Sequence, residues 1–282
     1  MARCAADRDD VAHPDAAVTP DPFTDREYHK TAPVPATGRP SIYEFRQPKR
    51  DWLKYMFEHY IVLPRAGRVL DAGCGPGAYI PAARDVAPGA VLIALDIAAG
   101  RLAHIDRAKA VRVAADVTAL PLLDCSIDVV LAMHMLYHVP HVPDAVAEFH
   151  RVLRGGGVLY AFTNSERSQS QLTELYERHG GGSGSAMGDP HFSNESGRAL
   201  LETSFSDVTL TELRDSELVV TDPECVVDEF QRLRYALEPH LVEGTAWDDF
   251  VDATRSDVTA MVERDGTFRI SECHGLFVCR RP

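Results

Sequence analysis

Short apolar runs, separated by stretches of helical character, make up the central part of the chain. The runs lie at 69–70, 91–95, 111–115, 127–132 and 158–163. Runs that are apolar on both faces are typical of parallel strands buried between two layers of helices. An Ala-rich stretch at 78–86 and an amphipathic one at 144–153 lie between the runs. The pattern predicts an α/β fold with a doubly wound, mostly parallel sheet.

The two ends of the chain have a different character. Residues 1–40 are rich in Asp, Ala, Pro and Thr, and we expect them to be disordered or loosely ordered. Residues 41–67 carry aromatic side chains at helical spacing, which predicts a helix that either packs on the sheet or caps a ligand pocket. The later residues predict helices at 169–178, 192–204, 224–237 and 247–262, and strands at 208–213, 268–270 and 276–279.

The first apolar run leads into a loop with glycine at every second position. Asp71 stands where the strand should end, and Gly73, Gly75 and Gly77 follow. Glycine is needed where the backbone takes a positive φ or where a ligand approaches closely. A dinucleotide site would have Gly-x-Gly-x-x-Gly facing a pyrophosphate. The spacing here instead resembles motif I of the S-adenosylmethionine-dependent methyltransferases with a Rossmann-like fold; the alternative is a tight turn that binds nothing.

Acidic residues also stand at the ends of the next two runs. Asp96 follows the run at 91–95, and Asp116 follows the run at 111–115. Ligands of doubly wound sheets bind at the carboxyl ends of the strands, and an acid about 20 residues beyond the glycine loop is placed to accept both hydroxyls of a ribose. Together with Asp71, these acids predict a ligand-binding edge of the sheet.

Two longer motifs follow in order. Residues 120–130 read Leu-Pro-Leu-Leu-Asp-Cys-Ser-Ile-Asp-Val-Val, and residues 133–141 read Met-His-Met-Leu-Tyr-His-Val-Pro-His. The first resembles the Leu-Pro-Phe-x-Asp-x-Ser-Phe-Asp-x-Val signature of the small-molecule methyltransferases related to the ubiquinone and menaquinone biosynthesis enzymes, with Leu122 and Ile127 replacing Phe. The second is similar to a turn in that family, and Gly155 replaces the Pro of its Pro-Gly-Gly. The resemblance covers residues 68–163.

This resemblance implies a fold, a cofactor and a site. The fold is a seven-stranded sheet with a C-terminal antiparallel hairpin, in a methyltransferase domain at 41–282 with substrate-binding elements inserted at 164–200 and 223–262. The cofactor is S-adenosyl-L-methionine, with S-adenosyl-L-homocysteine as product. Asp116 would accept a hydrogen bond from the adenine amino group, while the amide of Val117 and the side chain of Ile97 contact the ring. The implied cofactor residues are Asp71, Gly73, Gly75, Gly77, Asp96, Ile97, Asp116, Val117 and Met133.

Candidate catalytic and substrate residues come from the turn after the fourth run and from the N-terminal segment. His138 resembles a catalytic His of several natural-product O-methyltransferases, and a histidine has a suitable pKa for a general base. Its alternative role is to cap the turn. His134 is the second candidate. Tyr43 and Arg46 are the candidates for a lid over the acceptor, and Tyr137 belongs either to the core or to the substrate wall.

Composition limits the possible partners and compartment. The chain has 282 residues, a net charge of −13, 45% hydrophobic residues and six scattered cysteines without a Cys-x-x-Cys pair. Such a charge disfavours nucleic acid and anionic membranes. The cysteines indicate reduced thiols, and with no apolar N-terminal segment they predict a cytoplasmic protein. His134, His138 and His141 lie on a predicted turn and not at positions i and i+4 of a predicted helix, so we expect no metal site.

The leading hypothesis is an enzyme that transfers a methyl group to an O, N or C nucleophile of a small molecule, such as a secondary metabolite, by in-line displacement. One alternative keeps the bound cofactor for a non-methylating cyclisation or decarboxylation. Another is a non-catalytic binding subunit, which the intact glycine loop and acids oppose. A nicotinamide-dependent oxidoreductase is opposed by the glycine spacing. Monomer and homodimer both remain open.

Overall fold

The structure is a computed structural model that describes residues 39–182 and 191–282. The predicted disorder at 1–40 therefore lies almost wholly outside the described residues. The strands are Arg46–Gln47 (β1), Ala66–Ala72 (β2), Gly89–Asp96 (β3), Val111–Ala114 (β4), Ile127–Met133 (β5), Leu153–Asn164 (β6), Asp207–Leu213 (β7), Glu217–Val220 (β8), Phe268–Ser271 (β9) and His274–Arg280 (β10). The α-helices are Trp52–His59 (α1), Ile80–Val86 (α2), Ala99–Leu102 (α3), Val142–Val152 (α4), Ser170–Arg178 (α5), Gly197–Leu201 (α6), Pro223–Arg232 (α7), Arg234–Leu237 (α8) and Trp247–Asp265 (α9). The 3₁₀ helices are Ile42–Phe45, Leu136–His138 and Glu238–His240.

Seven strands form the main sheet, in the order β4-β3-β2-β5-β6-β10-β7. Strands β2 to β6 are parallel, and β10 runs antiparallel to both β6 and β7. Leu70 and Val130 belong to the hydrophobic core on one face of the sheet, and Val69 and Leu131 belong to the core on the other. Burial on both faces is why the central strands read as continuous apolar runs. The predicted doubly wound fold is confirmed.

The antiparallel end of the sheet is formed by β7 and β10. The predicted strand at 268–270 exists as β9 but does not pair with β10. Both edges of β10 are already occupied, since His274 lies opposite Asn164 on one side and Leu213 on the other. Strand β9 pairs with β8 instead.

A second sheet, with the order β1-β8-β9, was not expected from the sequence. Its strands come from three distant parts of the chain, and β8 pairs antiparallel with both neighbours. Helices α5, α7 and α9 pack on it around a separate core that includes Tyr176, Phe230 and Phe250. This second sheet and its helices connect the N-terminal segment to the residues just before β10.

Two predicted helices are shorter than expected. The helix predicted within 41–67 is broken into the 3₁₀ helix Ile42–Phe45, strand β1 and helix α1, because Pro48 has no amide hydrogen and keeps the preceding residue extended. The helix predicted at 192–204 is reduced to α6. Its first turn is replaced by local hydrogen bonds, in which the Ser193 hydroxyl accepts from the amides of Glu195 and Ser196.

Candidate functional site

The predicted acids converge at one edge of the main sheet. Asp71 lies in β2 beside Ala94 of β3, Asp96 is the last residue of β3, and Asp116 follows β4 by two residues. Because the parallel strands end at the same edge, these acids come together there. The edge expected from the sequence is present.

The glycine loop between β2 and α2 is tied to Asp96. The Gly75 amide donates to Asp96 Oδ2 at 2.7 Å, and the Ala98 amide donates to Asp96 Oδ1 at 2.8 Å. The carboxylate is therefore held rigidly between the loop and the start of α3. Each oxygen retains a second lone pair that can accept from a ligand.

Gly73 is required by both its conformation and its surroundings. Its φ of +65° is unfavourable for residues with a side chain, and a Cβ there would lie 2.8 Å from the Cβ of Met135. Glycine at position 73 therefore lets the loop approach the turn after β5 more closely than a residue with a side chain would.

A cleft with a volume of about 160 Å³ opens at this edge. The structure places seven of the predicted site residues in its lining, namely Gly73, Asp96, Ile97, Asp116, Val117, His134 and His138. The remaining predicted residues, Asp71, Gly75, Gly77, Met133, Tyr43, Arg46 and Tyr137, are not part of that lining. Five lining residues were missed by the sequence analysis, namely Arg101, Ala115, Met135, Val139 and Pro140. The position of Arg101 in the helix after Asp96 was a usable signal for one of them.

Asp71 is a buried acid with an unsatisfied oxygen. Its side chain is 4% exposed, and its Oδ2 has no hydrogen-bond partner among the described residues. Burial, and secondly the charge of Asp96, raises the pKa of Asp71 to about 7. A buried polar atom without a partner is costly, so this position favours a ligand that brings a donor or a positive charge.

On the far side of the cleft, Asp116 is oriented by the following residues. Its Oδ1 accepts from both the amide and the hydroxyl of Thr118, at 2.9 and 2.8 Å. Val117 lies between them with 8% exposure. These hydrogen bonds hold the Asp116 carboxylate and the Val117 backbone just beyond the carboxyl end of β4.

His134 lies in a strained turn and is kept neutral. Its φ is +55°, its amide donates to the Phe162 carbonyl at 2.9 Å, and its ring meets the Phe162 ring edge-on at 4.6 Å. Burial, with further contributions from His274 and Arg46, lowers the pKa of His134 to about 3. A base of such low pKa is a weak proton acceptor at neutral pH.

His138 ends the 3₁₀ helix Leu136–His138 and lines the same cleft. Its amide donates to the Met135 carbonyl at 3.0 Å, and its ring lies 4.5 Å from that of Tyr137. Both predicted catalytic histidines thus line the same cleft. The Tyr137 ring lies 6.4 Å from that of His134.

Arg46 is bound to Glu272, which the sequence analysis did not identify. Two hydrogen bonds of 2.7 Å join the guanidinium to the two carboxylate oxygens. This pairing and the nearby His274 hold the pKa of Glu272 at about 2, against the opposing effect of burial. His274 in turn is 2.8 Å from Asn164 Oδ1 through its Nδ1. No local motif marks Glu272 or His274, because their partners are distant in sequence.

Across 39–182 and 191–282, no three His, Cys, Asp or Glu side chains are grouped so as to hold a metal ion. Among the helices described, none is both long and apolar enough to span a bilayer.

Comparison with known proteins identifies the central segment. Residues 70–161 match the family model described as "Methyltransferase domain". Over 114 residues the chain is 44% identical to a malonyl-acyl-carrier-protein O-methyltransferase of Enterobacter lignolyticus. The aligned segment covers 40% of this chain and 45% of that protein. It is 33% identical over 174 residues to a Mycolicibacterium smegmatis protein named "Probable S-adenosylmethionine-dependent methyltransferase", covering 52% of this chain and 65% of that one.

The fold also agrees with a solved structure. The YcgJ protein of Bacillus subtilis superposes with a TM-score of 0.55 at 15% identity, covering 81% of this chain and 97% of that chain. The chain spans less than half of the length of the first curated relative it matches. The methyltransferase resemblance is confirmed for the segment that forms the sheet edge.

Proposed function

We propose that this protein, which carries a methyltransferase domain at residues 70–161, is an S-adenosylmethionine-dependent methyltransferase acting on a small molecule. The acceptor atom is an oxygen, nitrogen or carbon nucleophile. The observation that carries the proposal is the rigid placement of Asp96, whose carboxylate is bonded to the glycine loop and lines the same cleft as Asp116 and His138.

The residues at the sheet edge fit the cofactor. Asp96 would accept the ribose hydroxyls, and Asp116 and the Val117 amide would bind the adenine edge, with Ile97 against the ring. The unsatisfied oxygen of Asp71 suits the ammonium group of the methionine part, since pairing would relieve a buried orphan acceptor. Gly73, next to Met135, and Met133, the last residue of β5, are proposed to border the methionine part. When bound, S-adenosylmethionine supplies an activated methyl group on a sulfonium.

The protein's own contribution is to position the acceptor and to remove its proton. Alignment of the acceptor nucleophile can remove much of the barrier to a displacement. We assign His138 as the general base, because it lines the cleft and His134 is too weakly basic. His134 would then line the methionine part of the cofactor through its side-chain shape and its backbone groups.

The acceptor is proposed to be a secondary metabolite handled in the cytoplasm. The match covers 45% and 65% of the lengths of the two curated relatives, so their substrates do not transfer directly. The segments 164–200 and 223–262 are proposed to complete an acceptor site around Tyr43, Arg46 and Tyr137, since they lie outside the matched segment. The net charge of −13 disfavours nucleic acid as acceptor.

The first test is calorimetric titration of the purified protein with S-adenosylmethionine, S-adenosylhomocysteine and NAD. We expect binding of both adenosyl ligands and none of NAD. Asp96→Ala should weaken S-adenosylhomocysteine binding by about 2 kcal/mol or more, since hydrogen bonds to a charged group are lost. Binding of NAD alone, or unchanged binding by Asp96→Ala, would contradict the proposal.

The proposed base has its own test. His138→Ala should leave S-adenosylhomocysteine binding nearly unchanged but lower turnover about 100-fold or more once an acceptor is known, as expected for loss of a general base. His134→Gln serves as the comparison, because it replaces a neutral ring without removing a base. A larger loss in His134→Gln than in His138→Ala would show that the assignment is wrong.

A further inference from the structure

Aromatic side chains from separate elements contact one another in a series that includes His134, which lines the cleft. The Trp52 ring lies 6.2 Å from Phe162, Phe162 lies 4.6 Å from His134, and His134 lies 6.4 Å from Tyr137. Tyr43 joins this surface through Arg46, whose guanidinium stacks 5.7 Å from the Tyr43 ring and 5.3 Å from that of Trp52. We call Tyr43, Trp52, His134, Tyr137 and Phe162 the aromatic wall.

The front of the wall is accessible while its back is buried. Tyr43 is 39% exposed, and Trp52, His134 and Tyr137 are partly exposed. Phe162, at 1%, and His274, at 4%, lie behind them. The rings meet at interplanar angles of 42° and 78°, and rings supported by buried neighbours form a rigid apolar surface. Such a surface favours an aromatic ligand, whose planar ring can pack edge-to-face or offset against it.

The positive charges stacked on the wall are already neutralised. Arg46 is held by both oxygens of Glu272 at 2.7 Å, and Glu272 is fully buried. Arg50, which stacks 5.2 Å from Trp52, is paired with Asp215 at 2.7 Å. His134 stays uncharged in this environment. The wall therefore has cations beside it whose charge is compensated by the protein's own carboxylates.

We propose that the methyl acceptor is an uncharged molecule with a planar ring system, bound against the aromatic wall. This inference rests on the proposed function and names its substrate class. A planar neutral body gains from contact with the rings. An anion would lose hydration beside a neutralised pair without gaining a free partner, and uncompensated burial of charge is strongly unfavourable.

The charge preference can be measured with two probes that differ mainly in charge. 2-Naphthamide and 2-naphthoate share a ring system and shape, and each is titrated calorimetrically into the protein saturated with S-adenosylhomocysteine. We expect the amide to bind about tenfold more tightly than the carboxylate or better. Equal or tighter binding of the carboxylate, or binding of neither probe to the loaded protein, would overturn the inference. Failure of S-adenosylhomocysteine itself to bind would instead contradict the proposed function.

Ring removal locates the binding surface. Trp52→Leu and Tyr137→Leu should each weaken 2-naphthamide binding about fivefold or more, because each removes part of the stacking surface. Tyr60→Leu is the matched control, since Tyr60 contacts Tyr55 and His59 outside the wall. An unchanged affinity in both wall variants would place the probe elsewhere and refute the inference.

Removing the carboxylate that neutralises an arginine should abolish the preference for the uncharged probe. Glu272→Gln leaves the Arg46 charge uncompensated, and we expect 2-naphthoate to bind about tenfold more tightly than to the wild type, with little change for the amide. Asp215→Asn releases Arg50 at a more exposed pair and provides the same test if Glu272→Gln does not fold, with a smaller gain. A carboxylate affinity that does not rise in any folded variant contradicts the charge-pairing argument.

Discussion

Asp71 is a buried acid whose environment is unfavourable in the free protein. Its carboxyl lies on the central strand β2, beside Asp96, with one oxygen lacking a partner among the described residues. Burial and the neighbouring acid raise the pKa of Asp71 to about 7. A purely structural residue at this position would be expected to be apolar. The cost to the free protein is consistent with a group that becomes satisfied when a cationic ligand binds.

The raised pKa of Asp71 predicts a pH dependence of stability. Between the unfolded pKa near 4 and the folded pKa of about 7, the folded state holds a proton that the unfolded state has lost. Stability should therefore fall as the pH rises through this window, by up to about 4 kcal/mol.

Asp71→Asn cannot titrate, so its free energy of unfolding should vary less between pH 4 and 8, and it should exceed that of the wild type at pH 8. Chemical denaturation of both proteins at the two pH values measures this. Parallel pH profiles for the two proteins would show that Asp71 titrates normally.

At the scale of elements, two glycines separate the effect of backbone conformation from the effect of the space available to a side chain. Gly73 and Gly156 both have positive φ, at +65° and +75°. A Cβ at Gly73 would meet Met135, whereas a Cβ at Gly156 has open space within the described part of the chain. The two positions therefore separate backbone strain from a steric clash.

Gly73→Ala should destabilise the protein more than Gly156→Ala, by about 1–3 kcal/mol, because only the first adds overpacking to the strain of a left-handed residue. It should also abolish S-adenosylhomocysteine binding, as the loop and the turn after β5 must separate. Urea denaturation and calorimetry compare the two variants. Equal losses of stability would mean that the Met135 side chain moves aside without cost.

Strands were easier to predict than short helices. The apolar runs at 91–95 and 127–132 correspond to β3 and β5, because burial on both faces leaves a strong local pattern. The helix predicted at 192–204 was wrong over most of its length, since Ser193 bonds the backbone locally. Polar side chains that compete for backbone amides weaken helical periodicity as a predictor.

At the scale of the whole molecule, the second sheet connects distant parts of the chain. Strand β1 follows the N-terminal 3₁₀ helix, while β9 leads directly to Glu272 and β10. The Arg46–Glu272 pair joins residues 226 positions apart. It is bidentate and largely buried, a geometry in which removal of one partner leaves an uncompensated charge.

A double-mutant cycle on Arg46 and Glu272 tests how strongly this connection is coupled. Arg46→Met and Glu272→Leu should each cost about 3 kcal/mol of stability, and the double variant should cost clearly less than their sum. The exposed Arg234–Glu238 pair is the control, and its coupling should be too small to resolve. Additive losses at Arg46 and Glu272 would mean that the two side chains act independently.

The sequence by itself determined the acidic edge of the sheet that we propose binds the cofactor. Strand ends, the glycine loop, Asp96 and Asp116 depend on local backbone requirements and on hydrophobic periodicity, and both are written in consecutive residues. The second sheet, the neutralisation of Arg46 and the aromatic wall were decided only by the tertiary structure. Their members come from the N-terminal segment, from β6 and from the residues before β10, and no local pattern records which distant side chain will compensate a charge or complete a surface.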